Sequence, residues 1–389
     1  MYTPATGAIQ EDKRSARSEE HKLRDKGSFP LVAYREEQRL RFTFFQTAPP
    51  RRRTSEGTPN NAIVQKGWSV PSHTWGSSMI ATVTLNPAID KSVTVRGFEI
   101  GKTNRGDVTR VDAGGKGINV AKALHRFGSA VCALGLVAGS NGRFILDALA
   151  AEGIPADFVN VAGETRVNLK IHDPEKGTET ELNEPGFPVT AEHLEELRRK
   201  IAAHAPHCAV MVFSGSLPPD APPTIFADLI RIAKAHGAQC FLDTAGPGLK
   251  HGLAAGPFMV KPNRAEVEDL LKCSLRTRRE LVEAARVLIR MGSEQVLISL
   301  GAEGAVGVAG KDALFAAPPA VPVRSSVGAG DTMVAAMAYA AVAGLPFRQA
   351  FRMAVAASAA TVTMEGTRVA DLAAVQELIP QVTLEDADG

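Results

Sequence analysis

The 389-residue sequence predicts an α/β fold of three layers, a mainly parallel sheet covered by helices on both faces, with a small β-sheet lid beside it. From Met79 onward, apolar runs of strand length alternate with stretches of helical periodicity. The segments that carry chemistry fall directly after those runs, on the edge where the loops of a parallel sheet converge. Two further segments, about 91–112 and 165–186, alternate apolar with polar residues in short antiparallel style around charged turns, which assigns them to the lid.

Residues 1–78 precede this pattern. Stretches such as EDKRSARSEEHKLRDK and APPRRRTSEGTPNN lack periodicity, and thirteen basic against eight acidic residues give the segment a net +5 in a chain of +2. It reads as a mostly disordered basic extension. Translated upstream sequence is an alternative, since Met79 opens directly into a strand. A targeting peptide is disfavoured by the many acids and the absence of an apolar core. The rest of the chain is close to neutral, so no global field recruits nucleic acid or a membrane surface. No apolar run approaches the ~20 residues that span a bilayer. The four cysteines, Cys132, Cys208, Cys240 and Cys273, form no CxxC pair and read as free thiols in a reducing compartment, which predicts a soluble cytoplasmic protein.

The core elements follow in order. IATVTL, VCALGLV, CAVMVF, AQCFLD, PFMVK and QVLISL are strands. LEELRRKIAAHA, TIFADLIRIAKAHG and RELVEAARVLIRMG are amphipathic helices between them. LNPAID, SGSLPPD, DTAG, KPNRAE and GAEG then become five loops on one edge of the sheet. A site belongs there. Each lid segment would cover that edge and keep water out of it.

Ser325–Thr332, SSVGAGDT, is the most informative stretch. Gly328, Ala329 and Gly330 carry little or no side chain, so several backbone N–H groups can converge on one anion at the start of the helix that follows. A carboxylate there repels phosphate unless it has work to do. Asp331 fits a general base that takes a hydroxyl proton while the amides stabilise the phosphoryl group. The plain rival is that Asp331 merely caps the helix. A Walker-type loop is excluded because GGKG at Gly114–Gly117 is followed by Ile118, and Met333 stands where GxGxxG needs its third glycine. His125, His172 and His193 have no metal-ligand spacing.

DAGGKGINVAKAL and VGAGDT resemble the two signatures of the PfkB carbohydrate kinase family, with its ribokinase-like fold, and KPNRAE between them resembles its NxxE element. The resemblance spans residues 79–380. TLNPAID, GGKGINVA, SGSLPP, ISLGAEGA and NEPG resemble the branches that phosphorylate sugar phosphates. What this implies is ATP-dependent conversion of fructose 1-phosphate to fructose 1,6-bisphosphate. Tagatose 6-phosphate or fructose 6-phosphate is the alternative acceptor within the family, and a non-catalytic sugar-phosphate sensor is the rival from another class.

The resemblance also implies roles. Asp331 is the base, and Gly328, Ala329 and Gly330 are the anion hole. The loop Ser299, Leu300, Gly301, Ala302, Glu303, Gly304 and the region of Ser358 line ATP, whose phosphates Lys261 and Asn263 approach. Asn263 and Glu266 influence Mg²⁺, the latter through water. Asp90 binds sugar hydroxyls, as a carboxylate accepting paired O–H groups does. Gly114, Gly115 and Asn119 wall the sugar. A phosphorylated sugar needs cations: Arg166 is the first choice because its planar fork binds two oxygens at once, Lys102 is second, and Lys170 and Lys116 follow, with Arg105 the weakest. Exposed lid edges predict a homodimer through the lid.

Overall fold

The computed structural model describes residues 79–387. The expectation of a disordered extension over residues 1–78 lies outside the described residues. Among the described residues the first element is β1 (Met79–Thr84), after which the chain turns out through the lid strands β2 (Ala88–Thr94) and β3 (Asp107–Gly114) and returns as α1 (Lys116–Arg126). After β4 (Val131–Ala138), α2 (Gly139–Ala151) and β5 (Ala156–Val161) it leaves again as lid strands β6 (Arg166–Asp173) and β7 (Thr178–Asn183). The βα rhythm resumes with α3 (Ala191–His204), β8 (Cys208–Ser214), α4 (Ile225–Ala235), β9 (Gln239–Asp243), α5 (Gly246–Leu253) and β10 (Met259–Val260). Next come α6 (Arg264–Leu271), α7 (Arg278–Arg290), β11 (Gln295–Ser299), β12 (Ala305–Ala309) and β13 (Asp312–Ala317). Helices α8 (Ala329–Val342), α9 (Phe347–Val362) and α10 (Leu372–Leu378) and strand β14 (Thr383–Asp386) complete it.

The main sheet runs β14-β13-β12-β11-β10-β9-β8-β1-β4-β5. Pairing is parallel from β5 to β11 and antiparallel at the β12–β14 edge. The five loops expected on one edge follow β1, β8, β9, β10 and β11, which are neighbours, so they do converge. Side chains alternate between two cores. Ile80, Val210, Val212 and Phe241 face α1, α8 and α9, while Ala81, Val83, Met211 and Phe213 face α3, α4, α5 and α7. The alanines of α8 and α9 bring those two helices close together, which buries the base of the helix that starts at GAGD. Cys132, Cys208 and Cys240 are free and buried, and burial pushes their thiols up to about 11, 12 and 12. Cys273 is exposed. Among the described residues no helix is long and apolar enough to cross a membrane.

The lid sheet runs β3-β2-β6-β7 and differs from expectation in two ways. Its central pair, β2 with β6, is parallel rather than antiparallel. Both strands leave from the carboxyl ends of the parallel strands β1 and β5, so they must run outward side by side. Asp90 lies within β2 rather than in a loop, because pairing with β3 begins at Ala88, opposite Gly114.

Candidate active site

Helix α8 starts behind Gly328, whose φ of 78° is left-handed, and no side chain caps it. The Asp331 carboxylate is therefore not a cap. It turns to the floor of the cleft, where Asn119 on α1 donates Nδ2 to its Oδ2 at 2.8 Å. Asn119 thus orients the Asp331 carboxylate, a contact beyond the sugar wall expected of it. Burial pushes the Asp331 carboxyl up to about 6, with Asp243 adding repulsion, against Lys116, the Asn119 hydrogen bond and Lys261, which pull it down. A carboxylate of that value is matched to proton abstraction near neutral pH.

Beneath it, Asp243 ends β9 and is the centre of an ion cluster that the sequence reading missed. Its Oδ1 accepts Lys116 Nζ at 3.2 Å and Lys261 Nζ at 3.4 Å, while its Oδ2 has no partner. Burial would raise this carboxyl, but Lys261 and Lys116 more than offset that and hold it below the usual range. Asp243 in turn holds the Lys116 ammonium well above its ordinary value. Lys116 follows Gly115, whose φ of 121° admits little but glycine and whose turn starts α1. Asn263 and Glu266 form the capping box of α6: Asn263 Oδ1 accepts Glu266 N at 2.8 Å, and Glu266 Oε2 accepts Asn263 N at 2.9 Å. Glu266 Oε1 is left facing Lys116 at 3.9 Å. Among the described residues no group of three or more His, Cys, Asp or Glu is placed to hold a metal. The carboxylate oxygens without hydrogen bonds, Glu266 Oε1 and Asp243 Oδ2, would suit a hydrated magnesium.

On the sugar side, Asp90 lies against the glycine loop, since a Cβ on Gly114 would run into its carboxylate. Asn168, also missed, donates to Asp90 Oδ1 at 3.0 Å. Burial raises the Asp90 carboxyl against Lys170 and Asn168, which lower it. The register pairs Ala88 with Arg166, Asp90 with Asn168 and Ser92 with Lys170, so Arg166, Asn168 and Lys170 share the face of Asp90. Arg166 is half-buried and donates to the carbonyls of Glu184 and Asn86 at 3.1 and 3.3 Å. Burial lowers its guanidinium against the pull of Asp90 and Glu184. Asn86 ties NEPG to SGSLPP, donating to Pro185 O, Ser216 Oγ and Leu217 O, and its Oδ1 lies where Gly186 would carry a Cβ. Lys170 Nζ is 3.9 Å from Glu181. Lys102 and Arg105 are not brought here within one chain. They lie in the exposed turn beyond the far end of β2, where Lys102 pairs with Glu99 at 2.6 Å.

Beside the start of α8 opens a cavity of about 680 Å³, a size typical of small-ligand sites. Asn263, Ser299, Gly301, Ala302, Gly304, Gly330 and Ser358, which the sequence reading assigned to a nucleotide, line it together with Ala329. Leu300 points inward as core, and Glu303 is drawn away to pair with Arg264 at 2.8 Å. Lys261 lies under Gly330, its Nζ 3.3 Å from the position a Cβ would take there. The opposite wall, Pro318, Pro319, Val321 and Val323, was missed, although an apolar proline-rich run just before GAGD is a readable signal.

Known proteins align over the same span. The profile of pfkB family carbohydrate kinases matches residues 83–373. The 1-phosphofructokinase of Rhodobacter capsulatus is 41% identical over 280 residues, 72% of this chain and 89% of that protein. That of Bacillus subtilis is 33% identical over 304 residues, 78% of this chain and 98% of the relative. The crystal structure of Escherichia coli phosphofructokinase-2 in complex with fructose-6-phosphate superposes with a TM-score of 0.73 at 29% identity, covering 78% of this chain and 99% of the other.

Proposed function

The chain belongs to the pfkB family of carbohydrate kinases, ATP-dependent phosphotransferases, and on that premise we propose that it phosphorylates fructose 1-phosphate to fructose 1,6-bisphosphate. The observation that carries the reading is Asp331, oriented by Asn119 at the uncapped start of α8 and lifted to about 6 beside the cavity. A sensor has no use for such a base. Asp331 takes the proton of the sugar's free primary hydroxyl, whose oxygen attacks the terminal phosphorus of ATP in line. The backbone amides from Gly328 to Gly330 and the helix end neutralise the oxygens of the group in flight. Arg166 and Lys170, on the lid face of Asp90, grip the phosphate already on the sugar, and Asp90 positions the hydroxyls. Glu266 would hold magnesium through water, and the ion would supply charge neutralisation on the ATP phosphates.

The two curated relatives act on the 1-phosphate by name, which favours that acceptor over the 6-phosphates. Steady-state kcat/KM on fructose 1-phosphate, tagatose 6-phosphate and fructose 6-phosphate, side by side, tests it. The expected result is a preference of about tenfold or more for fructose 1-phosphate, the scale of ~1.4 kcal/mol in differential binding. Equal use of all three defeats the assignment. Buried free thiols and phosphorylated substrates support a cytoplasmic setting. The lid supports a homodimer, because Val108, Val111 and Leu182 stand 54, 43 and 58% exposed on the face opposite Asp90. Residues 1–78 are dispensable on this reading, and the segment from Met79 onward should turn over at the full-chain rate.

A further inference from the structure

Arg110 joins the lid to the rim of the nucleotide cavity. The register pairs Asp90 with Asp112 and Ser92 with Arg110, so Asp112 and Arg110 stand on the lid face of Asp90, where Ser92 also lies beside Lys170. Unlike its neighbours, Arg110 reaches away from the lid. Its Nε pairs with Asp112 Oδ2 at 2.5 Å, and its Nη1 donates at 2.7 Å to the carbonyl of Glu365, 255 positions away in the turn that follows α9. The guanidinium also passes so close over Gly366 that a Cβ there would run into Nη1 and Cζ. A glycine, at a φ of 63°, leaves it room.

That turn is tied to the cavity. Val362, which precedes it, lines the cavity, and its carbonyl accepts Arg324 N and Ser325 N at 2.8 and 3.2 Å. Ser325 Oγ donates to Gly366 O at 2.9 Å and accepts Val327 N at 3.2 Å, directly before GAGD. The Glu365 side chain pairs instead with Arg324 at 3.3 Å, so what Arg110 holds is main chain. A lid strand that grips this main chain is sensitive to where the turn stands, and a nucleotide packed on Val362 fixes that position. We propose that Arg110 is a positioning residue that latches the lid to the nucleotide rim, so that nucleotide and sugar phosphate each tighten the other's binding. The latch rests on the kinase reading of the site. By linkage the factor is the same in both directions. Asp112 aims the guanidinium, and the pairing offsets a charge that otherwise repels the Asp90 carboxylate.

Arg110→Met keeps most of the stem and removes the donors. Calorimetry of the magnesium complex of β,γ-imido-ATP is run with and without a saturating amount of whichever sugar phosphate the wild type uses best. The wild type should bind the analogue at least about fivefold more tightly when the sugar phosphate is present. Arg110→Met should bind the analogue alone within about threefold of the wild type, which also shows that it is folded, but gain less than about twofold from the sugar phosphate. Gly366→Ala, which blocks the guanidinium from the other side, should lose the same gain. A full gain in either variant, or none in the wild type, overturns the latch. If the wild type uses none of the three sugars, the acceptor reading fails while hydrogen exchange without any sugar still decides the latch. The analogue alone should slow exchange of the β3 amides at least about threefold in the wild type and leave them unchanged in Arg110→Met. Equal slowing in both, or none in the wild type, overturns it.

Discussion

Replacing Asn119 with Leu should move the pH dependence of the enzyme without abolishing its chemistry. The substitution keeps the side-chain volume close to the original but removes the 2.8 Å donor to Asp331 Oδ2. A hydrogen bond to a charged carboxylate contributes ~1.5–3 kcal/mol. One unit of pKa corresponds to ~1.36 kcal/mol, so the lost bond converts to a rise of about one to two units. The donor stabilises only the ionised form, so its loss makes the base harder to deprotonate. The wild-type profile of kcat/KM should climb with pH through about 6, the value set by burial and Asp243. In Asn119→Leu the same limb should lie at ~7–8, costing about two- to tenfold at pH 7 and recovering above pH ~9. Initial rates at subsaturating sugar phosphate across pH 5–9.5 measure both limbs. A limb that stays in place, with activity reduced equally at every pH, would refute the role of Asn119 as the partner of the base.

Other consequences follow from the same geometry. In the folded protein Asp331 holds its proton up to about 6, against an ordinary 3.8, so ionising it opposes folding. That penalty is absent below pH ~4, grows up to pH ~6 and is constant above, at most about 3 kcal/mol for some two units. Asp331→Asn should thus melt a few degrees above the wild type at pH 7.5, by scanning calorimetry, with the gap closing toward pH 4; equal Tm at pH 7.5 contradicts this. Gly114→Ala drives a Cβ into the Asp90 carboxylate and should raise KM for the sugar phosphate by about tenfold or more while ADP affinity is kept; a KM within twofold counts against Asp90. Leu182→Glu places a charge on the exposed apolar lid face and should convert a dimer to a monomer in sedimentation. An unchanged dimer would move the interface elsewhere.

What the sequence revealed and what it hid divide along a physical line. Apolar runs, and the loops that follow them, are local signals, so the parallel edge and its five loops could be read directly. GAGD stood out for the same reason, since small residues before a helix leave backbone N–H groups open to an anion. The choice between base and cap was not, because it depends on Asn119, 212 positions away in the chain. Asp243 looked like any acid ending a strand until burial between Lys116 and Lys261 gave it a purpose. Lys116 was read toward the sugar from its place in the glycine loop, yet its ammonium turns to Asp243 and the base. The lid misled in direction. Its alternation announced strands, but only the shared exit from β1 and β5 dictates a parallel centre, and that strand length carries Lys102 away from Asp90.

The most direct test of the account is turnover of fructose 1-phosphate and ATP by Asp331→Asn, with ADP affinity determined on the same sample. If this carboxylate is the base, kcat falls by ~10²–10⁴-fold while ADP binds as in the wild type. Turnover within a few-fold of the wild type would contradict it.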